Sequence, residues 1–229
     1  MTAGLAPWLR CPTCARDLEE VGAGRLGCPS GHRFELNKRG YAGLVRESAR
    51  LPNGPRGPVL DAIDARFGSG LLDPLLAAVD AVTPAAAGGR LLDLSGTGGH
   101  LASALLAHRP GWRALVLSSS PALVARAMTR SGADGLLCDP TRDWPVRTGA
   151  ASVLLGAFAP HMPAEFHRVL APGGVLVAAA GPSPLGGAID VSELQDDVDP
   201  WFEFDQARTV ALTEGGTTVV RFRRRRRPL

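Results

Sequence analysis

The sequence predicts an α/β fold: a doubly wound, mainly parallel sheet that follows a small metal-binding module. Three observations support this prediction. Short apolar runs alternate with stretches of helical periodicity from residue 89 onward, cysteines cluster near the start, and two apolar runs near the end flank a Gly-Gly turn. Alternating strands and helices are typical of parallel sheets whose crossover helices cover both faces. A chain of 229 residues can hold one such domain and a small extra unit.

The composition is that of an ordinary globular protein, with 45% hydrophobic and 21% charged residues. The net charge of +3 gives little indication of an acidic partner. No apolar run approaches the roughly 20 residues that a membrane span needs. The first residues do not form a basic region followed by an apolar one, as a secretory signal would. We therefore expect a cytoplasmic protein that makes no membrane contact.

The chain divides into three segments. Residues 1–45 are loop-rich, hold three of the four cysteines, and are predicted to be a zinc-binding module. Residues 46–88 begin with the linker-like "RESARLPNGPRGP" and continue with two stretches of helical periodicity. We expect these two helices to cover one side of the following domain. Residues 89–229 are predicted to form the α/β domain itself.

The pattern within residues 89–229 predicts individual elements. Strands are predicted at 90–94, 113–117, 135–139, 151–158 and 175–181. Helices are predicted at 99–109, 121–131 and 162–171, the last ended by Pro172-Gly173-Gly174. Two final strands, 207–213 and 217–223, are predicted to form a hairpin that gives the sheet one antiparallel edge.

A metal site is predicted near the start of the chain. Cys11 and Cys14 form a C-x-x-C pair, and Cys28 and His32 form a second pair thirteen residues later. Three thiolates and one imidazole with no open position are typical of structural zinc. The alternative is that these cysteines lie in a loop without a metal. So small a unit cannot fold by burial alone, so zinc would supply its stability.

The segment "CPTC…CPSGHRFELNKRGYAGLV" resembles the opening of the bacterial 23S rRNA (guanine-N1)-methyltransferases, including Phe34, Lys38 and Gly40-Tyr41. The order of later elements is also similar, with "FAP" at 158–160 and "EFHRVLAPGGVLV" at 165–177. The resemblance implies a class I methyltransferase (Rossmann-like) domain that binds S-adenosylmethionine. It also implies that the zinc module helps to grip RNA.

The resemblance further implies a cofactor loop of the form D-x-G-x-G-x-G after the first strand. This chain reads Asp93-Leu-Ser95-Gly96-Thr97-Gly98-Gly99, so only Gly99 keeps the register of that pattern. Ser95 and Thr97 replace two of its glycines, whereas Gly96 and Gly98 lie one residue out of step. Glycines let such a loop turn tightly and approach a ligand closely.

Two further cofactor positions follow from the resemblance. Ser118 ends the second strand, where the family has a carboxylate that accepts hydrogen bonds from both ribose hydroxyls. Asp139 lies where the family's adenine-contacting acid lies, although it could equally form a turn before Pro140. Loss of the ribose carboxylate and of two glycines costs roughly 1–3 kcal/mol each, so we expect weakened cofactor binding.

Among the histidines, His161 follows "FAP" at the carboxyl ends of the predicted strands, the edge where doubly wound sheets bind ligands. It is the candidate for an acid, a base or a substrate contact. His108 and His167 are expected on helix surfaces without a role. Cys138, on the third strand, is expected to be a buried apolar residue.

Near the end of the chain, acidic residues precede an arginine run. The acidic stretch at 183–206 contains Trp201, Phe202 and Phe204, which predict either a protein-partner patch or the anchors of a loop. The run "RFRRRRR" at 221–227 is predicted either to bind phosphates or to be a solvated tail.

Three functions are consistent with these patterns. The first is a diverged S-adenosylmethionine-dependent methyltransferase of the rRNA guanine-N1 type. The second is a methyltransferase fold recruited to cofactor-independent chemistry on a small molecule, such as cyclisation or elimination in secondary metabolism, with a partner subunit or as a homodimer. The third is a non-catalytic zinc-ribbon binding module attached to an inactive domain. The substrate is accordingly RNA or a small molecule.

Overall fold

The computed structural model describes residues 4–45, 50–86, 88–157, 162–182, 188–213 and 215–228. Its strands are β1 Glu19–Glu20, β2 Arg25–Gly27, β3 Arg33–Glu35, β4 Ala42–Gly43, β5 Arg90–Asp93, β6 Arg113–Ser118, β7 Asp134–Leu137, β8 Ala151–Leu155, β9 Leu170–Pro182, β10 Ala188–Ile189, β11 Phe202–Leu212 and β12 Gly215–Arg224. Its helices are α1 Gly57–Gly68, α2 Asp73–Val82, α3 His100–Ala107, α4 Pro121–Ser131, α5 Pro163–Val169 and α6 Val191–Val198.

The main sheet has the order β11-β12-β9-β8-β5-β6-β7-β4, with β10 beside β9. Strands β4 to β9 are parallel to their neighbours along this order, so the predicted doubly wound α/β fold is confirmed. The predicted hairpin is present as β11 and β12. Its position differs in one respect: the antiparallel strand β12 is second from the edge because it pairs with β9. The edge strand β11 consequently runs parallel to the rest of the sheet.

The local sequence explains where α4 begins and ends. Ser120 caps the helix, because its Oγ accepts a hydrogen bond from the backbone N–H of Leu123 at 3.2 Å. Pro121 occupies the first turn, where a proline is favourable, and Gly132 ends the helix in a left-handed conformation with φ of 69°. The helix therefore matches the predicted range 121–131.

The predicted end of α5 is wrong. The helix stops at Val169, before the Pro-Gly-Gly stretch, because Leu170 is already extended with φ of −77° and ψ of 135°. Leu170 pairs with Ala151 and begins β9, which runs through the Pro-Gly-Gly stretch to Pro182. Pairing with β8 therefore overrides the expected stop signal.

The position predicted for His167 is also wrong. Its side chain is not on a helix surface but buried, at 8% exposure, between α5 and the start of β11. The ring lies 5.3 Å from that of Trp201 and 6.1 Å from that of Phe202, and its Nε2 lies 2.9 Å from the carbonyl oxygen of Arg225. The chain leading into and out of the hairpin covers this face of α5, a contact that helical periodicity cannot reveal.

The first 45 residues share a core with the sheet. Trp8, Leu18 and Leu26 are fully buried and belong to the same apolar cluster as Leu115 and Leu154 of the sheet. The small sheet β1-β2-β3 leads directly into β4, which pairs with β7 in parallel. The first 45 residues are thus joined to the rest of the chain both by packing and by a strand of the main sheet.

Helices α1 and α2 cover the other face of the sheet, as their periodicity predicts. Their buried apolar residues belong to a second cluster with Leu91, Leu101 and Val116. Among the described residues no helix combines the length and apolar character needed to cross a membrane.

Candidate cofactor site and metal centre

The four predicted metal ligands converge. The thiol sulfurs of Cys11, Cys14 and Cys28 and a ring nitrogen of His32 all lie within 4.8 Å of one another. Cys28 Sγ is 3.3 Å from His32 Nδ1, and Cys14 Sγ is 3.6 Å from Cys28 Sγ. A tetrahedral zinc ion with bonds of about 2.0–2.3 Å keeps its ligand atoms roughly 3.5–3.8 Å apart. The donor set and its spacing therefore fit structural zinc.

Two tight backbone turns bring these ligands together. The N–H of Ala15 donates to the carbonyl oxygen of Cys11, and the N–H of Gly31 donates to that of Cys28, at 2.9 and 3.0 Å. Ala15 and Gly31 both have positive φ, 58° and 89°. A hydrogen bond with the Ser30 side chain lowers the pKa of the Cys14 thiol to about 6. Thiolate is the form that binds metal, so this environment favours coordination.

The glycines of the candidate cofactor loop all adopt left-handed conformations. Gly96, Gly98 and Gly99 have φ values of 69°, 62° and 85°, which residues other than glycine rarely adopt. At Gly99 a Cβ atom would also lie 2.8 Å from the Cα of Ala127, so this glycine permits α3 to pack closely against α4. The glycines that are out of register thus have defined conformational roles in a rearranged loop.

The residues that replace the expected glycines point inward. Ser95 and Thr97 are each 1% exposed, and their hydroxyl oxygens lie 2.9 Å apart. The backbone N–H of Ser95 donates to Asp93 Oδ1 at 2.8 Å. Asp93 is itself buried, and burial raises the pKa of its carboxyl group. The loop is therefore stabilised by hydrogen bonds among its own buried polar side chains.

A charged network between α1 and α4 fixes the far side of this loop. Asp64 on α1 lies 2.8 Å from both Arg126 and Arg130 of α4 and 2.9 Å from Nε2 of His100. Arg130 also donates to the carbonyl oxygen of Gly98. Sequence reasoning missed Asp64, Arg126 and Arg130, because more than 60 residues separate the acid from the arginines. Their only sequence signal is the four-residue spacing of the arginines, which places them on one helix face.

Ser118 ends β6, and its Oγ accepts a hydrogen bond from the N–H of Ser120 at 3.1 Å. The linker before α1 crosses this end of the strand. The Ser120 hydroxyl donates to the carbonyl oxygen of Pro55 at 2.6 Å, and a Cβ at Gly54 would lie 2.6 Å from Cβ of Ser120. The strand end predicted to receive a ribose therefore presents one hydroxyl and no carboxylate.

Asp139 follows β7 and stabilises its own turn. Its Oδ1 accepts hydrogen bonds from the N–H and the hydroxyl of Thr141, at 2.9 and 2.7 Å, and its Oδ2 lies 3.1 Å from Arg142 Nε. This geometry matches the turn-forming interpretation of Asp139. Cys138 beside it is buried, as expected, and burial raises the pKa of its thiol.

The sheet brings the candidate cofactor residues to one edge. Strands β5, β6 and β7 are adjacent and parallel, so Asp93, Ser118 and Asp139 all lie at or just after their carboxyl ends. A pocket of about 320 Å³ opens near this edge between Cys138-Asp139, Leu44 and Pro12, which lies in the turn between Cys11 and Cys14. His161, together with the preceding "FAP", lies outside the described residues.

The arginine run is largely ordered, so the prediction of a solvated tail is wrong for its first part. Residues 221–224 belong to β12, and Arg221 and Arg223 both pair with Asp205. Arg225 Nη2 and Nη1 lie 3.1 Å from Asp199 and Glu203, respectively. Acids on β11 and in the turn before it, which belong to the acidic stretch, therefore neutralise part of the arginine run.

The aromatic residues of that stretch differ in burial. Phe202 is fully buried, and Trp201 is half-buried against His167. These two residues anchor the chain as one interpretation predicts. Phe204, in contrast, is 56% exposed on β11.

The fold is that of the class I S-adenosylmethionine-dependent methyltransferases. One similar structure is a chain of the complex between the Haloferax volcanii Trm112 methyltransferase activator and a methyltransferase, at 17% identity and a TM-score of 0.58. It covers 75% of this chain and 99% of that one. An S-adenosylmethionine-dependent methyltransferase from Aquifex aeolicus is 16% identical with a TM-score of 0.57, over 72% and 98% of the two chains. No family model matches the sequence.

In sequence the chain resembles the 23S rRNA (guanine-N1)-methyltransferases. It is 32% identical to the 23S rRNA (guanine(748)-N(1))-methyltransferase of Streptomyces fradiae over 185 residues, 77% of this chain and 64% of the relative. It is 33% identical over 200 residues to a Micromonospora griseorubida protein provisionally named 23S rRNA (guanine-N(1)-)-methyltransferase, again over 77% of this chain and 66% of the relative. The chain thus spans slightly less than two thirds of the length of these relatives.

Proposed function

We propose that the protein is a diverged S-adenosylmethionine-dependent methyltransferase that acts on N1 of a guanine in ribosomal RNA. The observation that carries this proposal is the convergence of Asp93, Ser118 and Asp139 at the carboxyl edge of three adjacent strands, beside a loop of left-handed glycines. Sequence similarity to guanine-N1 methyltransferases over 77% of the chain supports the choice of substrate. Ligands of doubly wound sheets bind at this edge.

The residues present fit the cofactor with one weakened contact. Gly96 and Gly98 leave the backbone of the loop without Cβ atoms, and the first N–H groups of α3 follow directly. Ser118 supplies one hydroxyl where a carboxylate would accept hydrogen bonds from both ribose hydroxyls. This difference weakens binding by roughly 1–3 kcal/mol, or about one to two orders of magnitude in affinity.

The bound cofactor supplies an electrophilic methyl group, and the chain supplies position and a dry environment. Holding the guanine in line with the methyl group and excluding water account for most of the acceleration. The N1 proton of the guanine must leave as the new N–C bond forms. We name His161 as the candidate acceptor of this proton or as a base contact.

The metal centre has a structural role in this proposal. Zinc at Cys11, Cys14, Cys28 and His32 would fix the module whose residues Trp8, Leu18 and Leu26 complete the core of the main domain. A cytoplasmic location suits both a ribosomal RNA substrate and four cysteines that form no disulfide.

Calorimetric titration of the purified protein with S-adenosylmethionine tests this proposal. We expect saturable binding with a dissociation constant between about 10 µM and 1 mM, the range left after the loss of one charged hydrogen-bond partner. A constant weaker than about 1 mM would instead support cofactor-independent chemistry on the same fold or a non-catalytic binding module.

A further inference from the structure

The amino-terminal edge of the main sheet, opposite the cofactor loop, carries a row of arginines. Arg90 and Arg113 begin the adjacent strands β5 and β6, and Arg147 precedes β8. Because β12 runs antiparallel to β9, its last residues reach the same edge, with Arg223 paired to Val175. We call the arginines at this edge, 10, 90, 113, 147 and 223–227, the arginine edge.

One end of the arginine edge forms a pocket of about 490 Å³ between the metal-binding module and the sheet. Arg10, Arg90 and Arg147 line it, and Asp17 is the single carboxylate among its described lining residues. Asp17 lies 3.0 Å from Arg147 and is 60% exposed, so three guanidinium groups face one weakly held acid. Burial and the positive charges of Arg113 and Arg147 lower the pKa of Arg90. The pocket is therefore electropositive.

Each of these guanidinium groups is held in place by the backbone. Arg90 donates to the carbonyl oxygen of Pro7 at 2.9 Å and lies 4.4 Å from the ring centre of Trp8. Arg147 donates to the carbonyl oxygen of Leu9 at 3.0 Å, and Arg10 donates to the carbonyl oxygen of Trp144 at 3.1 Å. Fixed donors lose little entropy when an anion binds, so the pocket is preorganised.

The other end of the arginine edge is open. Arg224 donates to the carbonyl oxygen of His167, and Arg225 is neutralised by Asp199 and Glu203. Arg226 and Arg227 are exposed and, within the described part of the chain, form no ion pair. They line a groove of about 770 Å³ with Arg223 and Pro172-Gly173.

The dimensions of the arginine edge suit a nucleic-acid backbone. From β6 to β12 the sheet order has four steps of about 4.8 Å, which gives roughly 19 Å. A duplex strand carries one phosphate per about 3.4 Å, so about five phosphates cover this length. A guanidinium group binds phosphate oxygens through paired hydrogen bonds, so a row of arginines can bind several successive phosphates.

We propose that the arginine edge binds the phosphate backbone of the RNA substrate, at a place separate from the one that receives the target base. This inference rests on the proposed function for the identity of the polyanion. The six residues of β6 extend about 20 Å, so an RNA contact here is well separated from the carboxyl edge. It would orient the RNA without reading its sequence.

The salt dependence of binding to a 23S rRNA fragment tests the inference, measured by fluorescence anisotropy from about 50 to 200 mM salt. The double variant Arg226→Gln/Arg227→Gln should bind about three- to tenfold more weakly and reduce the magnitude of the slope of log K against log salt by about 1.4–1.8, since each lost phosphate contact removes about 0.7–0.9. Arg50→Gln/Arg208→Gln, which removes two exposed arginines elsewhere, is the matched control and should leave the slope unchanged. Asp17→Asn should strengthen binding about twofold, because it removes the acid from the pocket.

Equal slopes for the two double variants would overturn the proposal, as would displacement of the RNA by polyglutamate at equal charge concentration, which would indicate an acidic protein partner. Calorimetry with S-adenosylmethionine separates this outcome from failure of the proposed function. Cofactor binding should be the same in the wild type and in all three variants. If the wild type bound no cofactor but the RNA slopes differed as expected, only the proposed function would be wrong.

Discussion

The hydroxyl groups of Ser95 and Thr97 face each other inside the candidate cofactor loop, with their oxygens 2.9 Å apart and both side chains buried. These are the two residues that replace glycines of the methyltransferase pattern. Their mutual hydrogen bond gives each buried hydroxyl a polar partner inside the loop. The loop thus differs in sequence from that pattern at two buried positions, and it follows β5 as the pattern requires.

This pair should be energetically coupled. Thr97→Val removes one hydroxyl and deprives the buried Ser95 hydroxyl of this hydrogen bond, which should lower the free energy of unfolding by about 1–3 kcal/mol. The double variant Ser95→Ala/Thr97→Val removes both groups and should cost less than the sum of the two single changes. Urea unfolding of the wild type, Ser95→Ala, Thr97→Val and the double variant measures the coupling. Additive changes in the free energy of unfolding would contradict the contact.

The missing ribose carboxylate can be restored. Ser118→Asp places a carboxylate at the end of β6, where it can accept hydrogen bonds from both hydroxyls of the cofactor ribose. We expect S-adenosylmethionine to bind about ten- to a hundredfold more tightly, in line with about 1.5–3 kcal/mol for a charged hydrogen bond. Ser119→Asp adds the same charge one residue further on and should not tighten binding. Equal affinities of the wild type and the two variants would contradict this placement of the ribose.

Gly99 should be needed for packing as well as for its backbone conformation. Gly99→Ala introduces a Cβ 2.8 Å from Cα of Ala127 at a φ of 85°, so backbone strain and a clash add together. We expect a loss of about 2–4 kcal/mol in the free energy of unfolding. Gly111→Ala has the same type of φ, 82°, but nothing within 4 Å of the new atom, and should cost only about 1 kcal/mol. Chemical unfolding measures the free energy of unfolding of both variants, and equal losses would rule out the clash at Gly99.

Zinc should be required for the fold of the first segment. Metal analysis should give one zinc per chain, and Cys28→Ser should lose it and lower the melting temperature, because the module depends on the metal. Cys138→Ser alters a buried cysteine away from the cluster and should keep the zinc. A metal-free protein with an unchanged melting temperature would contradict the assignment.

Glu165 should make the free energy of unfolding depend on pH. Burial raises the pKa of Glu165, but hydrogen bonds from Arg168 and from the N–H of Trp144, together with the positive charge of Arg168, outweigh this and hold it below its ordinary value of 4.5. The carboxylate therefore contributes stability above about pH 4.5, and this contribution is lost as the pH falls through the lowered pKa.

Glu165→Gln should accordingly lower the free energy of unfolding by about 3 kcal/mol near neutral pH, since it leaves the largely buried guanidinium of Arg168 without its carboxylate partner. The difference from the wild type should shrink as the pH falls below about 4.5. Glu193→Gln, an exposed change on α6, is the control and should leave the pH profile unaltered. Urea unfolding at a series of pH values measures this, and a constant difference across the series would refute the account.

The elements that local signals specify could be predicted from the sequence. The serine cap, proline and glycine around α4 define that helix by themselves, and the spacing of Cys11, Cys14, Cys28 and His32 predicts a cluster that the structure contains. The alternation of short apolar runs similarly predicts the parallel strands, because each must be buried on both faces.

Features that depend on distant pairing could not be predicted. Strand β9 begins at Leu170 because it pairs with β8, and His167 is buried because the chain around the hairpin packs over α5. Asp64 meets Arg126 and Arg130 only through the packing of α1 on α4. The arginine run forms ion pairs with acids on the preceding strand and turn. The sequence alone did not indicate that these two oppositely charged segments contact each other.

The most direct test of the central claim is nucleoside analysis of 23S rRNA after incubation with the protein and S-adenosylmethionine. We predict the appearance of N1-methylguanosine, with a matching stop in reverse transcription because the methyl group blocks the pairing edge of the base. The Ser118→Asp variant should form it at lower cofactor concentrations than the wild type does. Absence of N1-methylguanosine with both proteins at saturating cofactor would contradict the proposed methyl transfer.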